Sequence, residues 1–135
     1  MISYTDSEDH GSRTAATRAV ITDFARLFYL EKDVRTAFET FVAAGYIQHN
    51  PGIPDGRDAA IAALTPMFAD PEFHADLKRV LADGDYGLIH LHGYRGDQPG
   101  GAVMDLYRVA DGRIVEHWDV IQPVPATAHN DHPLF

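Results

Sequence analysis

The chain contains no cysteine, so neither a disulfide framework nor a thiolate nucleophile is available to it. It is also short of positive charge: 11 Lys and Arg stand against 20 Asp and Glu, a formal net charge of −9. Phosphate backbones and anionic membranes are bound by clustered basic side chains, and no Lys or Arg run breaks this acidity, so both classes of partner are excluded. Long apolar runs are missing too. Nothing approaches the ~20 apolar residues that cross a bilayer, and the start lacks the basic-then-apolar pattern of an export leader. What is present is globular: 135 residues, one domain's length, with 45% hydrophobic residues to fill an ordinary core. These bounds lead to the expectation of a cytoplasmic protein that handles small molecules.

The most informative stretch is Ala102 to Gln122. Two β-rich runs, 102–110 and 113–121, flank Asp111-Gly112. An Asp-Gly pair in that setting is the strongest short-range hairpin signal, because a type I′ turn needs positive φ at both central residues. The strand period of 2 then puts Val103, Asp105 and Tyr107 on one face of the first strand, and Val115, His117, Asp119 and Ile121 on one face of the second. If the two faces coincide, two carboxylates and an imidazole meet on an apolar wall, which is the composition of an acid–base site.

Asp105 is the sharpest signal, since an Asp in a central strand is costly to bury unless it is hydrogen-bonded or protonated. Its bland alternative is a surface Asp paired with a neighbouring Arg. Tyr107, on the same face, either orients a substrate carbonyl or fills space. His90 and His92 share a strand face and admit three readings: metal ligands together with His49, His117 or an Asp; a polar pocket lining; or a solvated face. No further ligand spacing completes a metal motif, so the expectation is a polar lining, no metal and no other cofactor. A register slip of one residue would point Glu116 and Trp118 inward in place of His117.

The rest of the chain supplies a scaffold. Residues 1–12 are polar and aperiodic and read as a frayed leader. Residues 13–30 carry Ala16, Val20, Phe24, Leu27 and Phe28 at helical spacing. A second helix opens after Asp33 as N-cap, with Gly45 as the residue that ends it. Tyr46 to Gly52 is a short extended piece stopped by Pro51. A third helix, capped near Asp55, carries Ile61, Leu64 and Phe68, with Pro66 expected to kink or shorten it. From Phe73 the pattern is that of strands: Phe73, Ala75, Leu77 and Leu81 on one face, then a turn at Asp83-Gly84 and a strand over 86–94. Residues 123–135 contain Pro123, Pro125 and Pro133 and read as a tail. Three helices and a four-stranded antiparallel meander, with a short early strand, make an α+β plan whose curled sheet leaves a ligand cavity. The outward set, Met104, Leu106, Arg108, Ile114, Glu116, Trp118 and Val120, is an apolar strip suited to a homodimer.

The runs Tyr46-Ile47-Gln48-His49-Asn50-Pro51 and Asp111-Gly112-Arg113-Ile114-Val115-Glu116-His117-Trp118-Asp119-Val120 resemble those of SnoaL-like proteins, the aldol-condensation or polyketide-cyclase-like branch of the NTF2-like superfamily. The resemblance spans 13–122. It implies one α+β cone over those residues, a pocket inside it, and a homodimer packed through the outer sheet face. For the site it implies Asp119 as acid/base, Asp105 at a substrate-binding position and Asn50 lining the pocket. The related epoxide hydrolases use an Arg with two Asp, and that Arg position falls near Val103.

Together these readings give a small acid–base enzyme, independent of cofactors, that moves a proton next to the carbonyl of an apolar compound, in the manner of a cyclase, aldol enzyme or isomerase. Asp119, Asp105 and His117 are the catalytic candidates. His49, Asn50, His90, His92 and Tyr107 are the candidates for binding substrate. Two close carboxylates push their proton affinities apart, so that one can stay protonated as a donor. A non-catalytic ligand-binding protein and a water-activating hydrolase use the same pocket residues and are the alternatives.

Overall fold

The structure, a computed structural model, describes residues 8–135. Helix α1 (Glu8–Ala25) runs into a wider π turn over Arg26–Leu30, and α2 (Val34–Phe41) follows. Then come β1 (Val42–Gln48), α3 (Arg57–Ala69), β2 (Phe73–Asp83), β3 (Tyr86–Arg95), β4 (Gly101–Ala110) and β5 (Arg113–Pro123). The sheet order is β1-β5-β4-β3-β2. Strands β2 to β5 form the antiparallel meander, and β1 joins its β5 edge in parallel. This is an α+β cone of three helices on an open, mixed sheet. No helix among the described residues is long and apolar enough to cross a membrane.

The hairpin turn at Asp111-Gly112 has φ of 52° and 74°, as a type I′ turn requires. Asp33 caps α2, its carboxylate accepting from Thr36 N at 3.1 Å. Other boundaries differ from the sequence expectation. Residues 1–7 of the expected leader lie outside the described residues, but 8–12 are helix. That start is tied to the β2–β3 turn: Thr14 Oγ1 accepts from Gly84 N, Thr17 Oγ1 donates to Gly84 O, and His10 pairs with Asp83. The turn itself is Gly84-Asp85, one residue later than expected.

Gly45 does not end α2. The helix stops at Phe41, and Val42 is already extended and fully buried beside Ile114, so Gly45 lies within β1. Asp55 is not the cap of α3 either: Gly56 is, at φ 92°, and the Asp55 carboxylate instead accepts from Gln48 N. Pro66 sits inside α3, which continues to Ala69.

Two bulges reset which side chains face in. Leu77 pairs with Leu91 and Arg79 with His90, so Lys78 is an extra residue in β2. Beyond it Val80 packs on the core and Leu81 turns out to solvent. Likewise Arg108 pairs with Glu116 and Val109 with Ile114, so Val115 is extra in β5. Ile114 is therefore fully buried in the core and leaves the outward set in which alternation had placed it.

The core lies between the helices and the concave face. Phe24 is its hub, in edge contact with Phe38, Tyr29 and Tyr107. Phe28 stacks on Phe68 with ring centroids 4.3 Å apart.

Candidate functional site

A cavity of about 260 Å³ opens between the concave sheet face and α2, α3 and the π turn. Its body is apolar, with Phe28, Phe38, Leu64, Phe68, Leu91 and Val103 among its walls. The polar groups gather on β1, β4 and β5, because alternation aims Tyr46, Gln48 and Asn50 in from one segment and Asp105, Tyr107, His117 and Asp119 in from the hairpin. Asp105 and Asp119 are direct cross-strand partners, as are Tyr107 and His117. Among the described residues, no Lys or Arg lines the cavity.

Asp105 is buried with both oxygens engaged. Oδ1 lies 2.8 Å from His117 Nε2, and Oδ2 accepts from Tyr29 Oη at 2.6 Å. Tyr29 Oη is also 2.6 Å from Tyr107 Oη. Since the Tyr29 hydrogen goes to Asp105, the bond between the hydroxyls carries the Tyr107 hydrogen. Burial first, then the Asp105 carboxylate, pushes both phenols well above their ordinary value, so both stay protonated donors. His117 reaches Gln48 Oε1 with its other nitrogen at 2.7 Å.

Asp119 is held differently. Asn50 Nδ2 donates to its Oδ2 at 2.6 Å, while Asn50 Oδ1 accepts from Gly52 N, which fixes the amide's orientation. Asp119 Oδ1 has no protein donor among the described residues, so this carboxylate keeps a free acceptor at the cavity wall. Tyr46 lines the same wall. Its Oη accepts from Gln48 Nε2 at 3.3 Å, and burial, with help from the Asp105 charge, raises its pKa and keeps its own hydrogen in place as a donor.

Among the described residues, Asp105, His117 and Asp119 have ligand-type atoms that all lie within 4.8 Å of one another, close enough in principle to hold a metal ion. Both His117 nitrogens are engaged, with Gln48 and with Asp105, so a cation taking His117 as a ligand would have to break one of these two bonds.

Three expected binding residues lie elsewhere. His49 points to the outer face, where it stacks on Trp118 at 4.7 Å and bonds Glu116. In β1 and its extension the inward positions are 46, 48 and 50, so His49 has the wrong parity. His90 and His92 also occupy the outer face, since their neighbours Leu91 and Gly93 take the cavity side. Arg79 donates to His90 Nδ1, and His90 Nε2 donates to Leu134 O. His92 donates to Pro99 O and stacks on Phe135 at 4.0 Å. Both therefore serve to hold the C-terminal tail against the sheet.

Sequence reasoning missed Tyr29, Tyr46 and Gln48. Tyr46 and Gln48 were recoverable, because Asn50 was placed in the pocket and strand period extends that choice to its alternate neighbours. Tyr29 was not: it sits in the π turn, where Glu31 N reaches back five residues to Arg26 O and both Phe28 and Tyr29 are buried.

A curved sheet with helices over an apolar cavity and a polar cluster at its wall describes a class of small-ligand α+β cones. Within that class the chain belongs to the SnoaL-like domain family, whose model matches residues 15–117. Among solved structures it is similar to an NTF2-like protein from Mesorhizobium loti, with 23% identity and a TM-score of 0.72 over 88% of this chain and 97% of that one. A protein described provisionally as a ketosteroid isomerase, from Kribbella flavida, matches at 18% identity and TM-score 0.69, covering 89% and 84%. One described provisionally as a polyketide cyclase, from Acidithiobacillus ferrooxidans, matches at 19% and 0.62, covering 78% and 87%. At these identities the likeness is one of fold. No curated protein sequence matches the chain.

Proposed function

We propose that this protein is a cytoplasmic acid–base enzyme, needing no cofactor, that acts on an uncharged and mostly apolar carbonyl compound. The observation that carries the reading is Asp119: one oxygen held by Asn50, the other free at the wall of an apolar cavity, with a hydrogen-bonded Asp–His pair beside it. In the reaction, Asp119 Oδ1 takes a proton from the carbon next to the substrate carbonyl. The C–H electron pair moves into the carbonyl to give an enolate, and Tyr46 Oη–H is the donor placed to bind the enolate oxygen. Asp119 then returns the proton to a carbon of the enolate system, or the enolate carbon attacks a second carbonyl within the same molecule and Asp119 gives the proton to the resulting alkoxide. The absence of Lys and Arg among the described residues of the lining favours a neutral substrate over an anionic one.

Hydrogen–deuterium exchange next to the carbonyl, followed by NMR over a panel of apolar ketones and β-dicarbonyls, tests this. The wild-type protein should speed exchange for at least one member, and Asp119→Asn should lose about 10²–10⁴-fold, the usual contribution of a general base. Binding without exchange would instead support a ligand-binding protein, and full activity in Asp119→Asn would remove Asp119 from the role.

The same proposal includes a homodimer. Leu81, Tyr86, Met104 and Val120 are exposed large apolar side chains, and Leu81 and Met104 line one shallow groove on the outer sheet face. A second copy packed there around Trp118 would cover them. Light scattering at micromolar concentration should give twice the chain mass, and a monomer would refute the pairing.

A further inference from the structure

Gln48 is the residue through which the polar groups of the site communicate. Its Oε1 accepts from Asn50 N at 3.0 Å and lies 2.7 Å from His117 Nδ1, while its Nε2 reaches Tyr46 Oη. A backbone N–H can only donate, so the Asn50 contact decides which end of the Gln48 amide is oxygen. An amide oxygen can only accept. His117 Nδ1 must therefore carry a hydrogen.

That settles the proton count on the other side of the ring. His117 Nε2 and Asp105 Oδ1 are 2.8 Å apart, and a bond there needs one hydrogen between them. Either an imidazolium faces a carboxylate, or a neutral imidazole faces a carboxylic acid. In both cases the pair carries zero net charge. Without the Gln48 oxygen a third state opens: Nδ1 bare, Nε2–H donating to ionised Asp105, and a net charge of −1.

We infer that Gln48 is a positioning residue that keeps His117 protonated at Nδ1 and so makes Asp105 and His117 a neutral, one-proton pair. The consequence falls on Asp119, whose carboxylate lies within 4.8 Å of that pair. A second net negative charge so close would repel the charge on the Asp119 carboxylate. With the neighbours neutral, the Asp119 carboxylate faces no second net charge among the described residues that line the cavity. The catalytic meaning of this rests on Asp119 being the base, whereas the proton count stands on hydrogen-bond geometry alone.

Ring-nitrogen NMR on protein labelled with ¹⁵N-histidine tests the inference without any substrate. His117 is assigned by the signals lost in His117→Gln. In the wild type near neutral pH, His117 Nδ1 should show the shift of a protonated nitrogen. In Gln48→Leu it should move to that of a bare nitrogen, with the proton on Nε2. Gln48→Glu retains an acceptor at that position and should restore the protonated Nδ1. A bare Nδ1 in the wild type, or in Gln48→Glu, overturns the inference, as does a protonated Nδ1 persisting in folded Gln48→Leu. If Gln48→Leu does not fold, the wild-type and Gln48→Glu spectra still decide. Failure of the enzyme reading shows separately, as unchanged exchange activity in Asp119→Asn with the His117 spectrum intact.

Discussion

The three-membered chain Tyr107–Tyr29–Asp105 predicts a specific failure of additivity. Tyr29 donates to Asp105 and accepts from Tyr107, both at 2.6 Å, and both phenols are buried. Tyr107→Phe removes the terminal donor and leaves the Tyr29–Asp105 bond whole, a loss of about 1 kcal/mol for one ordinary hydrogen bond. Tyr29→Phe removes the middle. It takes a donor from Asp105 and strands the Tyr107 hydroxyl, and each buried group left unsatisfied costs about 1–3 kcal/mol. The expected loss is roughly 3 kcal/mol from the same principle. In the double variant the stranded hydroxyl no longer exists, so its total should be no larger than that of Tyr29→Phe and should fall short of the sum by about 1–2 kcal/mol. Phe keeps the ring shape, so the aromatic packing around Phe24 and Phe28 is retained. Urea unfolding with equal m-values across the four proteins measures this directly. Losses that add within about 0.5 kcal/mol, or a Tyr107→Phe as damaging as Tyr29→Phe, would refute the direction assigned to the bonds.

Two further predictions concern stability. A Cβ added at Gly87 would overlap Cγ1 of the fully buried Ile21, so Gly87→Ala should lower stability by about 1–3 kcal/mol through overpacking, read as a fall in Tm. Glu116 has its carboxyl held below the ordinary value of 4.5, by the His49 hydrogen bond first and then by Arg108. A native carboxyl with lowered pKa contributes stability that is full above the unfolded value and is lost as pH falls through the native one. Glu116→Gln should therefore flatten the fall of stability with pH below about 4.5 and cost stability above it; an unchanged acid limb would remove this ion pair from the account.

The hairpin was legible because its turn chemistry and its alternation agree over 102–110. Agreement between local signals is what allows one strand to place Asp105 and Tyr107 correctly. Alternation failed where the structure inserts a residue. Neither Lys78 nor Val115 differs in kind from an ordinary strand residue, so nothing in the sequence marked the bulges that turn Leu81 out and Ile114 in. His90 and His92 show a different limit. Period 2 established that they share a face, but not which face, and the partners that fix them outward come from 99 and 134–135. The polar setting of the site was hidden for a related reason. The bonds from Asn50 to Asp119 and from Gln48 to His117 each join residues 69 apart, and no local pattern reports such a pair.

That separation also bears on the order in which the molecule is assembled. Asp105 and His117 are only 12 residues apart and sit on one tight hairpin, a unit of low contact order that closes early and fast. Strand β1 pairs with β5 at far greater sequence separation, 69 residues between Gln48 and His117, and closures of that span are entropically late. The two carboxylates are thus brought together by local folding, while Gln48 and Asn50, which bond His117 and Asp119, arrive with β1 and its extension. A folding intermediate lacking only that edge strand would keep the hairpin's carboxylates and imidazole but not Gln48 or Asn50, so the polar cluster at the cavity wall is expected to be completed among the last parts of the fold.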